Sequence, residues 1–242
     1  MKRSEINAII RDADAFARQH HFYLPPFAHW TPHEWMTKGA EVSEIVEYGL
    51  GWDITDFGLG GFRNTGLFLF TIRNGSPKNL ETCTGKVYAE KLLIVDVNQV
   101  TPFHFHWHKT EDIINRGGGR LLIQLYNSTP DERDDKTSDV TVSIDGVVRT
   151  LPAGGIVTLN LGESITLPTG LYHKFWGEGE RVLVGEVSTV NDDTADNKFL
   201  DPIGRFTEIE EDEPPYHPLI TDYAVLQPGN VVEANHAAPV QP

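Results

Sequence analysis

Apolar residues recur at helical spacing near the start of the chain, at Ile6, Ile9, Ile10, Ala13, Phe16 and Ala17, with polar residues between them. This pattern predicts an amphipathic helix with one face against a core. A second helix is expected to open at Thr31-Pro32-His33-Glu34, where Thr31 can cap, Pro32 suits the first turn and Glu34 can close a capping box. From Trp52 the texture changes to short apolar runs punctuated by glycine, beginning with the segment 51–62. Strands are predicted at 67–73, which runs into a turn signal at Asn74-Gly75, and then at 87–100, 103–108, 109–114 and 120–126. The clearest hairpin joins 140–144 to 147–151 through Asp145-Gly146, a pair that accommodates the positive φ angles of a type I′ turn. Further strands are expected at 155–161, 164–167, 172–176 and 181–190, and a polar loop at 130–138.

Short strands at this spacing argue for a closed barrel or a double-sheet jelly roll. Residues 1–50 are read as a helical segment packing on the barrel, 51–226 as the barrel itself, and 227–242 as a surface tail poor in large apolar residues. No stretch of 18 consecutive apolar residues occurs, and no apolar run follows Met1-Lys2-Arg3, so the expectation is a cytoplasmic protein that does not engage a membrane. Composition sharpens this picture in two ways. Asp and Glu number 35 against 20 Lys and Arg, a net charge of −15 that disfavours nucleic acid and anionic lipid as partners. A single cysteine, Cys83, cannot pair within the chain, which fits a reducing compartment.

The chemistry concentrates in Pro102-Phe103-His104-Phe105-His106-Trp107-His108-Lys109-Thr110-Glu111. On a strand, His104 and His106 share one face while Phe103, Phe105 and Trp107 occupy the other, so two imidazoles converge as a metal site requires. If the chain turns near His108, then Lys109 and Glu111 share a face of the next strand, one pleat apart. Later, Pro168-Thr169-Gly170 forms a turn that delivers His173 to the start of another strand.

These two segments resemble the two motifs of the cupin superfamily. His104-x-His106, four residues, Glu111, six residues and Gly118 match most of the first; Gly162, five residues, Pro168-x-Gly170, two residues and His173 match the second. Asn98 stands where the first motif would begin with glycine, and Gly177 where the second would end in asparagine. The resemblance implies a mainly β, cupin-type jelly-roll β-barrel with N-terminal α-helices packed outside. It also implies one divalent metal held by His104, His106, Glu111 and His173. Mixed N and O donors are compatible with Mn2+, Co2+, Zn2+, Ni2+ or Fe2+.

Beyond these motifs, the segments 109–113, 187–197 and 204–214 are similar to the D-lyxose isomerase family of cupins. That resemblance implies a metal-dependent aldose–ketose isomerase acting on a small neutral monosaccharide, D-lyxose to D-xylulose and D-mannose to D-fructose, with Mn2+ as the expected cofactor and a homodimer as the expected assembly. Such a reaction moves a proton between neighbouring carbons through a cis-enediol. Lys109 is then expected as the acid and electrostatic partner. Glu208 or Glu210, which share strand parity with Phe206, is expected as the base and as a substrate contact. The resemblance favours Lys91 as a further sugar contact, and Trp52 is a candidate lining residue. Two other readings use the same four ligands: an Fe(II)-dependent oxygenase, and a non-catalytic metal-containing sugar-binding protein.

Overall fold

The computed structural model describes residues 1–226; the tail expected at 227–242 lies outside the described residues. Helix α1 (Arg3–Gln19) and helix α2 (Pro32–Met36) both form, α2 behind the full Thr31–Glu34 capping box. Among the described residues twelve strands follow: β1 (Gly51–Thr55), β2 (Leu67–Arg73), β3 (Tyr88–Val95), β4 (Val100–Phe105), β5 (Glu111–Ser128), β6 (Asp134–Asp135), β7 (Val140–Ile144), β8 (Val147–Leu151), β9 (Ile156–Leu159), β10 (Ser164–Leu167), β11 (Leu171–Thr189) and β12 (Lys198–Phe199). They make one antiparallel sheet in the order β1-β2-β3-β11-β5-β10-β7-β8, with β4 and β12 joined through β11 and with β6 and β9 on β5.

Two pairs of expected strands are single long ones. The segments 109–114 and 120–126 merge into β5, and 172–176 and 181–190 merge into β11. Both continue through glycine-rich stretches that read as breaks in the sequence but act as bends. Gly118 takes φ +86°, and a Cβ there would lie 1.9 Å from the Arg181 carbonyl oxygen. The register between β5 and β11 shifts at this point. Beyond the bend each strand changes neighbours: β5 passes from β10 to β9, and β11 from β4 to β3. The sheet therefore folds back on itself, and its interior holds the larger core, built from residues such as Leu69, Leu93, Ile113, Leu121, Phe175 and Val184.

The opposite face of β1 to β3 is covered by α1. Ile6, Ile10, Ala13 and Ala17 pack on Trp52, Phe68, Phe70, Leu92 and Ile94 in a second core. Strands buried on both faces need apolar residues at every position, which explains the unbroken runs Leu67-Phe68-Leu69-Phe70 and Leu92-Leu93-Ile94-Val95. By contrast, the first half of β5 alternates buried and half-buried residues, as a strand with one covered face should. Among the described residues no helix is long and apolar enough to cross a membrane.

Both departures from the cupin motifs are accommodated. Asn98 adopts φ +60°, the left-handed conformation that a glycine would supply and that asparagine tolerates best among other residues. Gly177 lies where a Cβ would meet the Asp96 carbonyl oxygen at 2.8 Å, so a side chain there would force β11 away from the turn before β4.

The bend at Gly118 supplies a test. Gly118→Ala should cost at least about 1–3 kcal/mol, since it combines left-handed strain with a backbone clash. Urea denaturation of the variant is expected to show a clearly lowered midpoint.

Candidate active site

A cavity opens in the sheet interior where β4, β5 and β11 meet β2 and β3, and its walls carry His104, His106, Glu111, His173, Lys109 and Lys91. His104 on β4 pairs directly with His173 on β11, which sets two imidazoles side by side. Their Nε2 atoms are 3.0 Å apart, and the His104, His106 and His173 ligand atoms all fall within 4.8 Å of one another. Each Nδ1 faces a backbone carbonyl oxygen: Pro102 at 2.8 Å, Asp196 at 2.5 Å and Leu171 at 3.0 Å. Donation from Nδ1–H to those oxygens leaves all three Nε2 atoms as lone-pair donors pointing at one region, the orientation metal-ligating histidines require. His106 Nε2 is buried without a hydrogen-bond partner.

Glu111 completes the arrangement. Its Oε1 lies 3.1 Å from His173 Nε2 and 3.6 Å from His106 Nε2. Burial, with His173 and His106 nearby, holds His104 well below its ordinary pKa, so it is the neutral imidazole. Burial alone would raise the Glu111 pKa, but Lys109 and His106 overcome it and keep the carboxyl well below the usual range. Three imidazoles and one carboxylate form a donor set that fits a first-row divalent cation. The buried histidine group could therefore hold a metal.

A row of buried charges of alternating sign leads away from this centre. Lys109 Nζ contacts Glu111 Oε2 at 2.6 Å and Glu186 Oε1 at 2.9 Å. Lys91 Nζ lies 3.5 Å from Glu186 and 3.5 Å from Asp193, and donates to Asn191 Oδ1 at 2.7 Å. Arg205 then reaches Asp193 at 3.5 Å and Asp53 at 2.6 Å. Burial disfavours the ammonium of Lys109, yet Glu111, Glu186 and Asp193 outweigh it, so its pKa is raised and it stays charged. Asp193 is likewise buried, but Lys91 and Arg205 drive its pKa down. Asp53 moves the other way, because its desolvation exceeds what Arg205 returns.

The structure brings His104, His106, Glu111, His173, Lys109 and Lys91 together and leaves three expected contacts elsewhere. Glu208 and Glu210 are exposed and do not line the cavity. The chain after Arg205 runs along the start of α1 instead. The Glu208 carbonyl accepts from the Met1 ammonium at 2.7 Å, and the Glu210 side chain lies 3.9 Å from Lys2. The acidic run there supplies partners for helix N–H groups that have no intrahelical acceptor: the Glu210 carbonyl accepts from Arg3 N, and Asp212 Oδ1 accepts from Ser4 N. Trp52 is 2% exposed and faces α1, donating from Nε1 to the Ala28 carbonyl at 2.6 Å, because alternation along β1 turns Asp53 toward the cavity side and Trp52 away.

Glu186, Asp193, Arg205 and Asp53 are the site residues that motif reading does not isolate. Glu186 carried a signal: it is a lone acid in the apolar strand segment Val182-Leu183-Val184-Gly185-Glu186-Val187, and such a residue stays buried only if paired. The same holds for Asp53, between Trp52 and Ile54. Arg205 and Asp193 lie in irregular loops, where no periodicity marks them.

Solved structures with this fold include L-ribose isomerases from Acinetobacter sp. DL28 (TM-score 0.57, 18% identity, covering 87% of this chain and 98% of that one) and Cellulomonas parahominis (TM-score 0.54, 18% identity, the same coverage). The architecture is thus the cupin-like barrel of that group. The model of the D-lyxose isomerase family matches residues 1–223. A D-lyxose/D-mannose isomerase from Escherichia coli O157:H7 is 50% identical over 226 residues, covering 92% of this chain and 98% of that protein. Its counterpart from Serratia proteamaculans is 48% identical over 228 residues with the same coverage. The protein is a sugar isomerase, an enzyme that acts on a monosaccharide. More particularly, the chain belongs to the D-lyxose isomerase family, which sets aside the oxygenase and the non-catalytic sugar-binding readings.

Asp196 pins the turn between the two histidines and the lysine. Its carboxylate accepts from the backbone N–H of Trp107, His108 and Lys109 at 2.7, 3.0 and 2.9 Å, while its carbonyl takes His106 Nδ1. Asp196→Ala should release this turn and weaken metal affinity roughly 10–100-fold, as loss of outer-shell support does. Calorimetric titration of metal-stripped protein with Mn2+ checks it.

Proposed function

We propose that the protein interconverts D-lyxose and D-xylulose, and D-mannose and D-fructose, by a metal-dependent cis-enediol proton transfer, with Mn2+ as the preferred ion. The observation that carries this reading is the juxtaposition of the three-histidine centre with Glu186, a buried acid whose charged partners among the described residues are both lysines. The other buried acids of the row are engaged otherwise: Glu111 faces two imidazoles, and Asp193 and Asp53 face the Arg205 guanidinium. The D-lyxose and D-mannose substrates rest on the names of the two relatives that are about half identical in sequence.

His104, His106, His173 and Glu111 would hold the cation. When bound, it supplies electrophilic stabilisation of negative charge that develops on the sugar oxygens at C1 and C2. Glu186 takes the proton from one carbon and returns it to its neighbour, replacing Glu208 and Glu210 in the expected role of base. The pairing Glu186↔Lys91 across β11 and β3 holds that side chain in place without occupying it with an imidazole. Lys109, protonated beside Glu186, stabilises the anionic sugar and exchanges a proton with its oxygens. Lys91 and Arg205 extend the polar wall and offer donors to the remaining hydroxyls, with Arg205 Nη1 buried and unpartnered.

A neutral free sugar meets no repulsion from a chain of net charge −15, whereas a phosphorylated one would. The reading extends to a cytoplasmic homodimer in which residues 1–50 act as a covering layer of the barrel formed by 51–226. The dimer draws support from β8, which ends the main strand path with Val147 and Val148 57% and 71% exposed.

Three experiments test the proposal. Chelator-stripped protein should lose ketose formation from D-lyxose and D-mannose and regain it on addition of Mn2+; full activity after stripping would rule metal dependence out. Glu186→Gln should lower kcat by roughly 10²–10⁴ with Mn2+ affinity within a few-fold of wild type. Turnover of the wild type in deuterated water should place some deuterium on carbon in the product, through exchange of the proton on Glu186 with solvent before its return, which a hydride transfer would not do.

A further inference from the structure

Among the described residues, three buried side-chain nitrogen or oxygen atoms have no protein hydrogen-bond partner: His106 Nε2, Arg205 Nη1 and Thr101 Oγ1. All three residues line the same cavity. The first belongs to the metal-binding group and the second to the polar wall. Thr101 has no part in either, and it is 1% exposed.

Thr101 precedes His104 by three positions, so plain alternation along β4 would turn it to the opposite face. The register shows why it is not. His173 pairs with His104 and Phe175 pairs with Thr101, so β4 spends three steps where β11 spends two. One extra residue is therefore accommodated in β4 at Pro102-Phe103, a bulge that flips the parity and swings Thr101 round to the histidine side. Proline suits the position, having no N–H to lose from the ladder, and its carbonyl faces His104 Nδ1.

The cavity that the side chain so reaches has apolar as well as charged walls. Leu67, Leu69, Leu93 and Phe175 also line the cavity and have no hydrogen-bonding side chain. A valine would fill the same space there without burying an unmade hydrogen bond, which is costly. The hydroxyl therefore needs a partner that comes with the ligand.

We infer that Thr101 is a specificity-determining residue whose Oγ1 hydrogen-bonds one hydroxyl of the sugar on a carbon beyond the reacting C1–C2 pair. This rests on the isomerase reading above and adds to it a residue that reads the non-reacting end of the substrate. A site built around such a bond discriminates strongly against an analogue that lacks the hydroxyl.

The test compares wild type, Thr101→Val and Thr101→Ser, all Mn2+-loaded, on D-lyxose and on its analogues deoxygenated at C3, C4 or C5. Thr101→Val is expected to lower kcat/KM for D-lyxose at least about tenfold and Thr101→Ser to restore most of it. For one of the three analogues, wild type and Thr101→Val should be equal, which identifies the hydroxyl concerned. The melting temperature of Thr101→Val should not fall below wild type, because no protein hydrogen bond is lost; a purely structural hydroxyl would lower it. Equal kcat/KM for wild type and Thr101→Val on D-lyxose, or the same loss on all three analogues, overturns the assignment while leaving the isomerase reading in place. Absence of turnover by the wild type on D-lyxose and D-mannose with every divalent metal overturns the isomerase reading and the assignment with it.

Discussion

Seven charged side chains stand in one chain of contacts inside this barrel: Glu111, Lys109, Glu186, Lys91, Asp193, Arg205 and Asp53. Each would cost several kcal/mol to bury alone, so none of them can be placed independently of its neighbours. Alternation of sign is the solution, since every cation touches two carboxylates and every interior carboxylate touches two cations. The row sets four carboxyl groups against three cationic side chains, next to three imidazoles whose ligand atoms lie within 4.8 Å of one another. A divalent cation is the counter-charge such a centre can take up, and an open-chain sugar brings only a neutral carbonyl and neutral hydroxyls to the rest of it.

The row exists because strand register holds its members at fixed spacing. Glu186 faces Lys91 across β11 and β3, and Ser188 faces Glu111 across β11 and β5. One strand, β11, carries His173 near its start and Glu186 near its end, with the bend beside Gly118 between them. An insertion of one residue on either side of that bend would invert the facing of one group relative to the other. The bulge in β4 shows the same rule used constructively, because a single extra residue brings Thr101 onto the face of His104.

This also explains which parts could be read from sequence. Element types followed from periodicity: the stripe of α1, the Thr31–Glu34 box and the Asp145-Gly146 hairpin all appear where expected. The imidazoles and Glu111 were legible because their spacing within two hairpins is local. What failed was non-local. Strands β5 and β11 looked interrupted because glycine runs mark bends and breaks alike, and only the partner strand decides between them. Glu186 remained hidden because its meaning depends on Lys91 and Lys109, which are 95 and 77 positions away in sequence. Glu208 and Glu210 looked poised by parity, but parity carries no information about which surface an irregular segment lies on.

That acidic segment has a structural role that its charge density does imply. Arg3, 1% exposed, is gripped by Glu211 at 2.9 and 2.6 Å and by Asp222 at 3.0 and 2.9 Å. Asp212 and Glu213 fasten Ser4 and Asn7 along the start of α1. At its other end the same segment places Arg205 against Asp53 and Asp193, and Thr207 against Asp56 at 2.5 Å. A strap of about ten residues is thereby tied to the outer helix on one side and to the cavity wall on the other. Because β1 turns Trp52 toward that helix and Asp53 toward Arg205, the strap and the strand clamp the same wall from two directions. The helical layer is thus part of what holds the last cation of the buried row in place, and the acids that resemble a catalytic pair act by position along that strap.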